Sequence, residues 1–281
     1  MLIDKPVGWT SHDVVAAVRR QLGTRSVGHA GTLDPFATGL LVVLIGRATR
    51  LARFVEAGEK GYEATVRFGI ATDTDDSAGT PTMTVEPDAW PTREALEQAA
   101  ASLEGVQSQR PPAYSAKHVG GTRAYVLARA GETVDLAPVD VMVHRLQLGE
   151  WTPPTLTMHA TVGRGTYIRA LARDLGSRVG LPAHCATLRR TSIGPFSVAD
   201  AVTPDEISLA ALRTPVEMVA MLPQVRLDAA ATRDVGFGRS VPQLDAQEGH
   251  AALLAEDGRL LAVAGAVNGR WQPEVVLEPA A

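Results

Sequence analysis

Gly39 to Gly46 (GLLVVLIG) is the longest strongly apolar run in the chain. Its length falls far below the ~20 residues that a bilayer-spanning helix requires, so the run is a buried element of a globular core. The 281 residues, 45% hydrophobic and 21% charged, supply enough apolar side chain to build that core around it. This length predicts one large domain with a small companion. The N-terminus opens directly into Leu2-Ile3-Asp4-Lys5-Pro6, without a basic stretch, an apolar stretch and a small-residue cleavage site, so export is not expected. Cys185 is the single cysteine, which excludes an intrachain disulfide and a multi-cysteine zinc site and fits a reducing, cytoplasmic environment.

Around the run, the pattern of residues predicts a sequence of helices and strands. Thr10 and Asp13 have the spacing of a capping box, Val14, Val15, Val18 and Leu22 follow at helical period, and Gly23 can end the turn, so residues 11–22 are a helix. A glycine-rich connection, Gly28 to Gly31, leads to Thr32-Leu33-Asp34-Pro35. Residues 61–70 alternate as a strand, and 91–103 have a helical stripe of Ala95, Leu96, Ala99 and Leu103. Gln109 to Tyr114 is extended, since a residue before proline is pushed away from helical angles. Residues 139–149 and 155–163 read as two strands about the Pro153-Pro154 turn, and Thr166 is placed to cap a helix striped by Ile168, Leu171, Ala172 and Leu175. Beyond Pro215 to Pro223, Asp257-Gly258 and Asn268-Gly269 between apolar runs predict hairpins in a compact β unit. The organisation expected is 1–220 as the main domain and 221–281 as the small one.

The formal net charge of −4 argues against a nucleic-acid partner until its distribution is considered. Residues 1–60 hold eight basic against five acidic side chains, 106–130 four against none, and 164–190 six against one, while 71–105 hold one against eight. Three basic segments folded onto one face would give a positive surface on an acidic protein; scattered over solvated helix faces, they would not. The acidic stretch Thr72 to Gly79 has Ala78 and Thr84 where a calcium loop counted from Asp73 needs glycine and an acid, so calcium is rejected. Asp34 before Pro35 has the local pattern of a helix N-cap, with proline at the first helical position. Gly28 and Gly31 would equally let this loop approach a ligand closely, with the polar ring of His29 in reach.

Residues 28–41, GHAGTLDPFATGLL, resemble the signature of the tRNA pseudouridine synthase B (TruB) family. Lys5-Pro6 with Gly8 and Ser11, Tyr62, Thr72-Asp73-Thr74 with Asp76 and Gly79, Pro111-Pro112 with Tyr114-Ser115-Ala116, Gly165-Thr166-Tyr167-Ile168-Arg169 and Leu188-Arg189-Arg190 follow in the family's order, so the likeness spans about residues 4–200. The resemblance implies an α+β fold: a pseudouridine synthase catalytic domain with a mixed, mostly antiparallel sheet flanked by helices, plus a small C-terminal β domain, PUA-like or divergent. It implies Asp34 as the essential catalytic carboxylate, Arg169 as its ion-pair partner and Tyr62 as the ring that stacks on a flipped uracil. His29 resembles the residue that fills the emptied T loop, Tyr167 and Leu188 resemble pocket walls, and Lys5 and Lys117 are candidates for phosphate or structural contacts.

The expected activity is isomerisation of uridine to pseudouridine at position 55 in the T arm of tRNA, without cofactor or metal, by a cytoplasmic monomer that needs no obligate protein partner and no membrane. Two other readings are a non-catalytic tRNA-binding or folding module and a nucleoside or glycosidic-bond hydrolase. The latter would want two cooperating carboxylates, and Asp73, Asp75 and Asp76 sit in a solvated-looking loop. The C-terminal unit, with five basic against eight acidic residues over 224–281, is expected to add modestly to substrate grip, and its removal mainly to weaken tRNA binding.

Overall fold

Alternate residues of the apolar run pack into two different cores, which is why it is apolar throughout. The structure, a computed structural model, describes residues 1–115, 117–119, 121–132, 134, 136–243 and 248–279; Ala116 of the Pro111 to Ala116 motif lies outside the described residues. The chain begins with β1 (Leu2–Lys5), α1 (Ser11–Leu22), β2 (Val27–Ala30), β3 (Thr38–Ile45), α2 (Ala52–Glu56) and β4 (Lys60–Phe68). There follow β5 (Ile70–Thr72), β6 (Pro81–Thr84), α3 (Arg93–Ala101), β7 (Gly105–Gln109), β8 (His118–Val119), β9 (Thr122–Arg123) and α4 (Ala124–Arg129). The rest of the large unit is β10 (Val139–Thr152), β11 (Thr155–Val162), α5 (Ile168–Arg178), β12 (Ala183–Ile193) and β13 (Phe196–Ser197).

A nine-stranded sheet runs β1-β3-β12-β4-β11-β10-β7, with β2 also on β3 and β13 on β12. Every pairing is antiparallel except β3 with β12. Side chains alternate across a strand, so Leu41 and Val43 of β3 meet Val14, Val15 and Val18 of α1, while Leu40, Val42 and Leu44 face the opposite core. A third core lies where α3 and α5 cover β4, β10, β11 and β12.

The C-terminal residues form β14 (Gln224–Arg226), α6 (Ala229–Gly236), β15 (Val241–Pro242), β16 (His250–Leu254), β17 (Leu260–Val267) and β18 (Arg270–Val276), a five-stranded sheet in the order β14-β16-β17-β18-β15. Asn268 and Gly269 both take positive φ, as a two-residue hairpin turn between β17 and β18 requires. This sheet does not hang free: Leu254, Val263 and Val275 share one core with Leu40, Val42, Phe54 and Val55. Arg47 and Arg50 donate to the carbonyls of Leu277 (2.9 Å) and Val276 (2.7 Å), and Arg53 pairs with Glu274.

The sequence misleads at four places. Residues 27–30 are not a connection but β2, paired along β3 from Val27 opposite Ile45 to Ala30 opposite Val42. Asp34 caps no helix: the Ala37 N–H donates to the Asp34 carbonyl (3.1 Å) in a tight turn, and the chain enters β3 directly. Tyr167, not Thr166, is the N-cap of α5, and the Thr166 hydroxyl instead donates to the Gly163 carbonyl (3.1 Å). The acidic loop after Thr72 is not solvated throughout, because Asp76 is buried.

Candidate functional site

Asp34 sits on a loop that is pinned from outside at several of its peptide groups. The Ser11 hydroxyl donates to the Leu33 carbonyl (3.3 Å) and accepts from the Leu33 N–H (2.9 Å), and the Gly8 N–H donates to the Pro35 carbonyl (2.8 Å). Lys5, completely buried, donates to the carbonyls of Pro6 (3.0 Å) and Trp9 (2.7 Å) and so closes the turn that presents Gly8. Arg190, also buried, donates to the carbonyls of Leu40 (2.8 Å), Gly31 (2.9 Å) and Thr32 (3.4 Å). Arg189 reaches the Asp4 carboxylate with both terminal nitrogens, at 3.0 and 2.6 Å. A loop fixed at this many points holds its side chain near one orientation before any ligand arrives.

The Asp34 carboxylate meets Arg169 of α5 at 2.9 Å and keeps 38% of its side chain open to solvent, whereas Arg169 keeps 4%. The guanidinium is shared four ways: it also pairs with Asp76 (3.3 Å) and donates to the carbonyls of Thr74 (2.7 Å) and Tyr114 (2.9 Å). Asp76 in turn accepts from the Thr74 hydroxyl (2.7 Å) and the Ala78 N–H (3.0 Å). A planar fork of donors suits this role in a way a lysine does not. Exclusion of water by the surrounding protein raises the Asp34 carboxyl above its ordinary range; Arg169 works against that rise and Asp76 adds to it. One turn along α5, Arg173 pairs with Asp75 (2.7 Å) and Asp174 (2.9 Å), and a cleft of about 320 Å³ opens beside it, lined in part by Arg110, Arg173, Asp174 and Arg178.

Tyr62 shares the face of β4 with Ala64, Val66 and Phe68 and packs, half-buried, against the core that contains Leu33 and Leu188. Leu188 of β12 is buried opposite Ala64, two residues along the strand from the Tyr62–Arg190 pair. The backbone of Tyr167 is held at both polar groups by the Gln109 side chain, its N–H donating at 2.9 Å and its carbonyl accepting at 3.2 Å. Burial raises the Tyr167 phenol above its ordinary range, with Arg169 and Asp34 both near enough to act on it. Asp34 and Arg169 are thus in contact, Tyr167 lies within electrostatic reach of both, and Tyr62 and Leu188 belong to the core that includes Leu33 beside Asp34.

His29 lies on β2, its ring 6.0 Å from that of His12 and its Nδ1 buried without a hydrogen-bond partner; burial lowers its pKa, with His12 adding to the effect. Lys5 does not reach out to a phosphate: burial holds its amine down at about 8, and its donors are spent on carbonyls. Lys117 follows Tyr114, an acceptor of Arg169, by three residues, and its own carbonyl accepts from the Ala124 N–H (2.7 Å).

Much of the basic charge counted in the sequence is structural. Arg47, Arg50 and Arg53 reach the C-terminal sheet, Lys5, Lys60 and Arg190 bond to carbonyls, and Arg169, Arg173 and Arg189 pair with carboxylates. Asp76 belongs to the Thr72 to Gly79 motif but looks solvated in sequence, as one of a run of acids in a glycine-containing loop; the Thr-x-Asp spacing that orders it is a further local signal. Among the described residues, no group of three or more His, Cys, Asp or Glu side chains could hold a metal ion.

Comparison with known proteins bears on this arrangement. A family model described as the TruB family pseudouridylate synthase N-terminal domain matches residues 19–168, and one described as the tRNA pseudouridylate synthase B C-terminal domain matches 169–222. The second match falls on α5, β12 and the segment after them, ahead of the five-stranded sheet. The chain is 44% identical to tRNA pseudouridine synthase B of Thermobifida fusca (strain YX), covering 98% of this chain and 97% of that one. It is 41% identical to the protein of that name from Mycobacterium sp. (strain KMS), covering 100% and 96%. Among solved structures, a chain of a Cbf5-Nop10-Gar1 complex superposes with a TM-score of 0.77 at 24% identity, covering 99% of this chain and 85% of that one. A chain of an H/ACA RNP bound to a substrate RNA containing 2'-deoxyuridine superposes with a TM-score of 0.76 at 22% identity, over the same shares. At those identities the likeness is one of fold.

Proposed function

The chain belongs to the TruB family of pseudouridylate synthases, and on that premise we propose that it isomerises a uridine in the T arm of tRNA, at position 55, with Asp34 as the essential carboxylate. The observation that carries the assignment is the asymmetry of the Asp34–Arg169 pair: a buried arginine saturated by protein on every side, against a carboxylate that still faces solvent.

The reaction breaks the bond from ribose C1′ to uracil N1, turns the detached base and joins C5 to C1′, with the C5 proton lost and N1 protonated. Within a folded T arm the nucleotide must first leave its stack, at a cost of a few kcal/mol. Tyr62, apolar on its ring face and held against the Leu33 and Leu188 core, is the stacking platform that offsets this cost. Arg169 orients Asp34 and opposes the rise in its pKa, which keeps the carboxylate ionised for work at neutral pH. Tyr167 and Leu188 wall the pocket, and His29 on β2 is the candidate for the space the flipped nucleotide vacates. Residues 1–220 carry this chemistry and 221–281 support them.

Two facts weigh against glycosidic hydrolysis. Asp76, the carboxylate nearest to being a second acid, has its oxygens engaged by Arg169, Thr74 and Ala78, and Asp75 is engaged by Arg173. Neither of these two carboxylates is free to work with Asp34 as a hydrolase would need. The enzyme works on tRNA as a cytoplasmic monomer, without cofactor or obligate protein partner; no helix among the described residues is long and apolar enough to cross a membrane.

Release of tritium from uracil-C5-labelled tRNA, with the base retained, is the expected result for the parent protein, and none is expected for a folded Asp34→Asn variant. Free uracil would point to hydrolysis instead, and turnover by Asp34→Asn near the parent level would refute the assignment.

A further inference from the structure

We propose that Glu56 is a positioning residue for the reaction, its carboxylate fixing the Gly31 turn and through that turn the orientation of Asp34. The proposal rests on the reading of Asp34 as the reacting carboxylate and extends it to a side chain outside the motifs that first pointed to the site.

The Gly31 peptide is held from two sides. Its N–H donates to Glu56 Oε1 at 3.0 Å, and its carbonyl accepts from Arg190 at 2.9 Å. Gly31 has φ +82°, and a Cβ built on it would lie 3.3 Å from the Arg190 guanidinium, so the position takes glycine. Glycine, however, has no Cβ to hold it to one sign of φ. What selects this conformation is the pair of opposed hydrogen bonds, one to an anion and one from a cation. Charged partners make such bonds about twice as strong as neutral ones. Three residues further along the braced loop is Asp34.

Glu56 is itself immobilised. It ends α2, where Phe54 and Val55 are buried in the core shared with the C-terminal sheet. The Lys60 amine donates to the carbonyls of Glu56 (2.8 Å) and Gly58 (3.0 Å), satisfying acceptors that a helix end leaves open. The C-terminal sheet thus backs the helix whose last side chain sets the turn before Asp34. Without the acceptor, only the Arg190 bond to its carbonyl still constrains Gly31, so the turn loosens and Asp34 loses alignment with the reacting base while the RNA-contacting surface is unchanged.

The test compares Glu56→Gln, which keeps an acceptor oxygen at the same length, with Glu56→Met, which keeps the length and removes the acceptor. Single-turnover pseudouridine formation and tRNA affinity are measured for both, beside the parent and Asp34→Asn. Glu56→Met is expected to slow the single-turnover step about ten- to a hundredfold with tRNA affinity within about threefold of the parent. Glu56→Gln is expected to restore the rate to within about threefold of the parent. If Glu56→Met does not fold at the assay temperature, Glu56→Asp takes its place, since its shorter side chain keeps the charge but falls short of the Gly31 N–H, and the same loss of rate is expected. An unchanged rate in Glu56→Met, an equal loss in Met and Gln variants, or a loss confined to affinity overturns the proposal. A parent protein with no Asp34-dependent turnover would instead overturn the functional reading and this proposal with it, which separates the two failures.

Discussion

Replacing Arg169 tests the site most directly, because one side chain supports four partners. Arg169→Leu removes ion pairs to Asp34 and Asp76 and hydrogen bonds to the Thr74 and Tyr114 carbonyls. Asp76 carries the largest share: its side chain is only 7% exposed, and breaking a buried pair costs about 3–5 kcal/mol. Asp34, more than a third exposed, contributes at the scale of a solvent-screened pair, up to about 1 kcal/mol. The two carbonyls add about 1 kcal/mol between them where water cannot replace the donors. Since these effects overlap, the expected loss is about 4–6 kcal/mol, a large fraction of a typical folding free energy. At about 2–4 °C per kcal/mol, the melting temperature should fall by roughly 10–20 °C. Arg169→Lys keeps a charge, yet one ammonium cannot reach all four partners, so about half that loss is expected.

The catalytic readout is separate from stability. Arg169 opposes the rise in the Asp34 pKa, so its loss leaves desolvation and Asp76 opposed only by the weaker effect of Lys5, and the acid limb of the rate–pH profile should move to higher pH. Thermal unfolding by circular dichroism, together with single-turnover rates from about pH 5 to 8, checks both. An Arg169→Leu protein that melts within about 2 °C of the parent, or whose acid limb does not move, would refute the reasoning.

Other consequences follow from the same contacts. Asp34→Asn should be inactive yet more heat-stable at neutral pH: a carboxyl whose pKa is raised by folding favours the folded state below its unfolded pKa of about 3.9 and loses that contribution as pH rises through the folded value. The gain over the parent, seen by differential scanning calorimetry at pH 7, should vanish near pH 3, and an equal gain at both would contradict this sign. Arg190→Met should leave the Leu40, Gly31 and Thr32 carbonyls without a donor and cost about 3–5 kcal/mol at about 1–3 kcal/mol per buried acceptor, part of it met by water, measured by urea unfolding. Gly39→Ala should fail to fold or lose activity, because the glycine has φ +101° and an added Cβ would overlap the Arg190 backbone carbonyl across the β3–β12 pairing; full activity would show that the strands can move apart there. Truncation after Leu222 should give insoluble or unfolded protein and not merely weaker tRNA binding, since it strips Leu254, Leu260, Val263 and Val275 from a shared core, at about 1.5–3 kcal/mol per side chain; a soluble, cooperatively melting truncation product would refute it.

Elements whose stability is decided within a few residues are legible in the sequence. Helix α1 is bounded by the Thr10–Asp13 box and by left-handed Gly23, both encoded locally. The β17–β18 turn follows from Asn268-Gly269, because few residues other than these tolerate consecutive positive φ. The β10–β11 hairpin is predicted about its Pro153-Pro154 turn, and the α5 stripe of Ile168, Leu171 and Leu175 is buried as its period requires. Family resemblance, carried by the order of short motifs, named Asp34, Arg169 and Tyr62, which local pattern alone would have read as a cap, a solvated charge and a core aromatic.

Tertiary structure decided the rest, and the reason is electrostatic. Whether an arginine faces a phosphate, a carboxylate or a backbone carbonyl depends on what the fold brings within about 3 Å of it, and a count of charges along the chain has no access to that. Thus Arg190 and Lys5, counted among the basic segments, are buried braces, and Asp76, placed by its sequence in a solvated-looking loop, is the second anchor of Arg169. The same holds for Glu56, which lies 25 residues from the glycine it contacts. Propensity and pattern act over a turn of helix or a hairpin, whereas desolvation and ion pairing act across the sheet, where only the folded chain sets the neighbours.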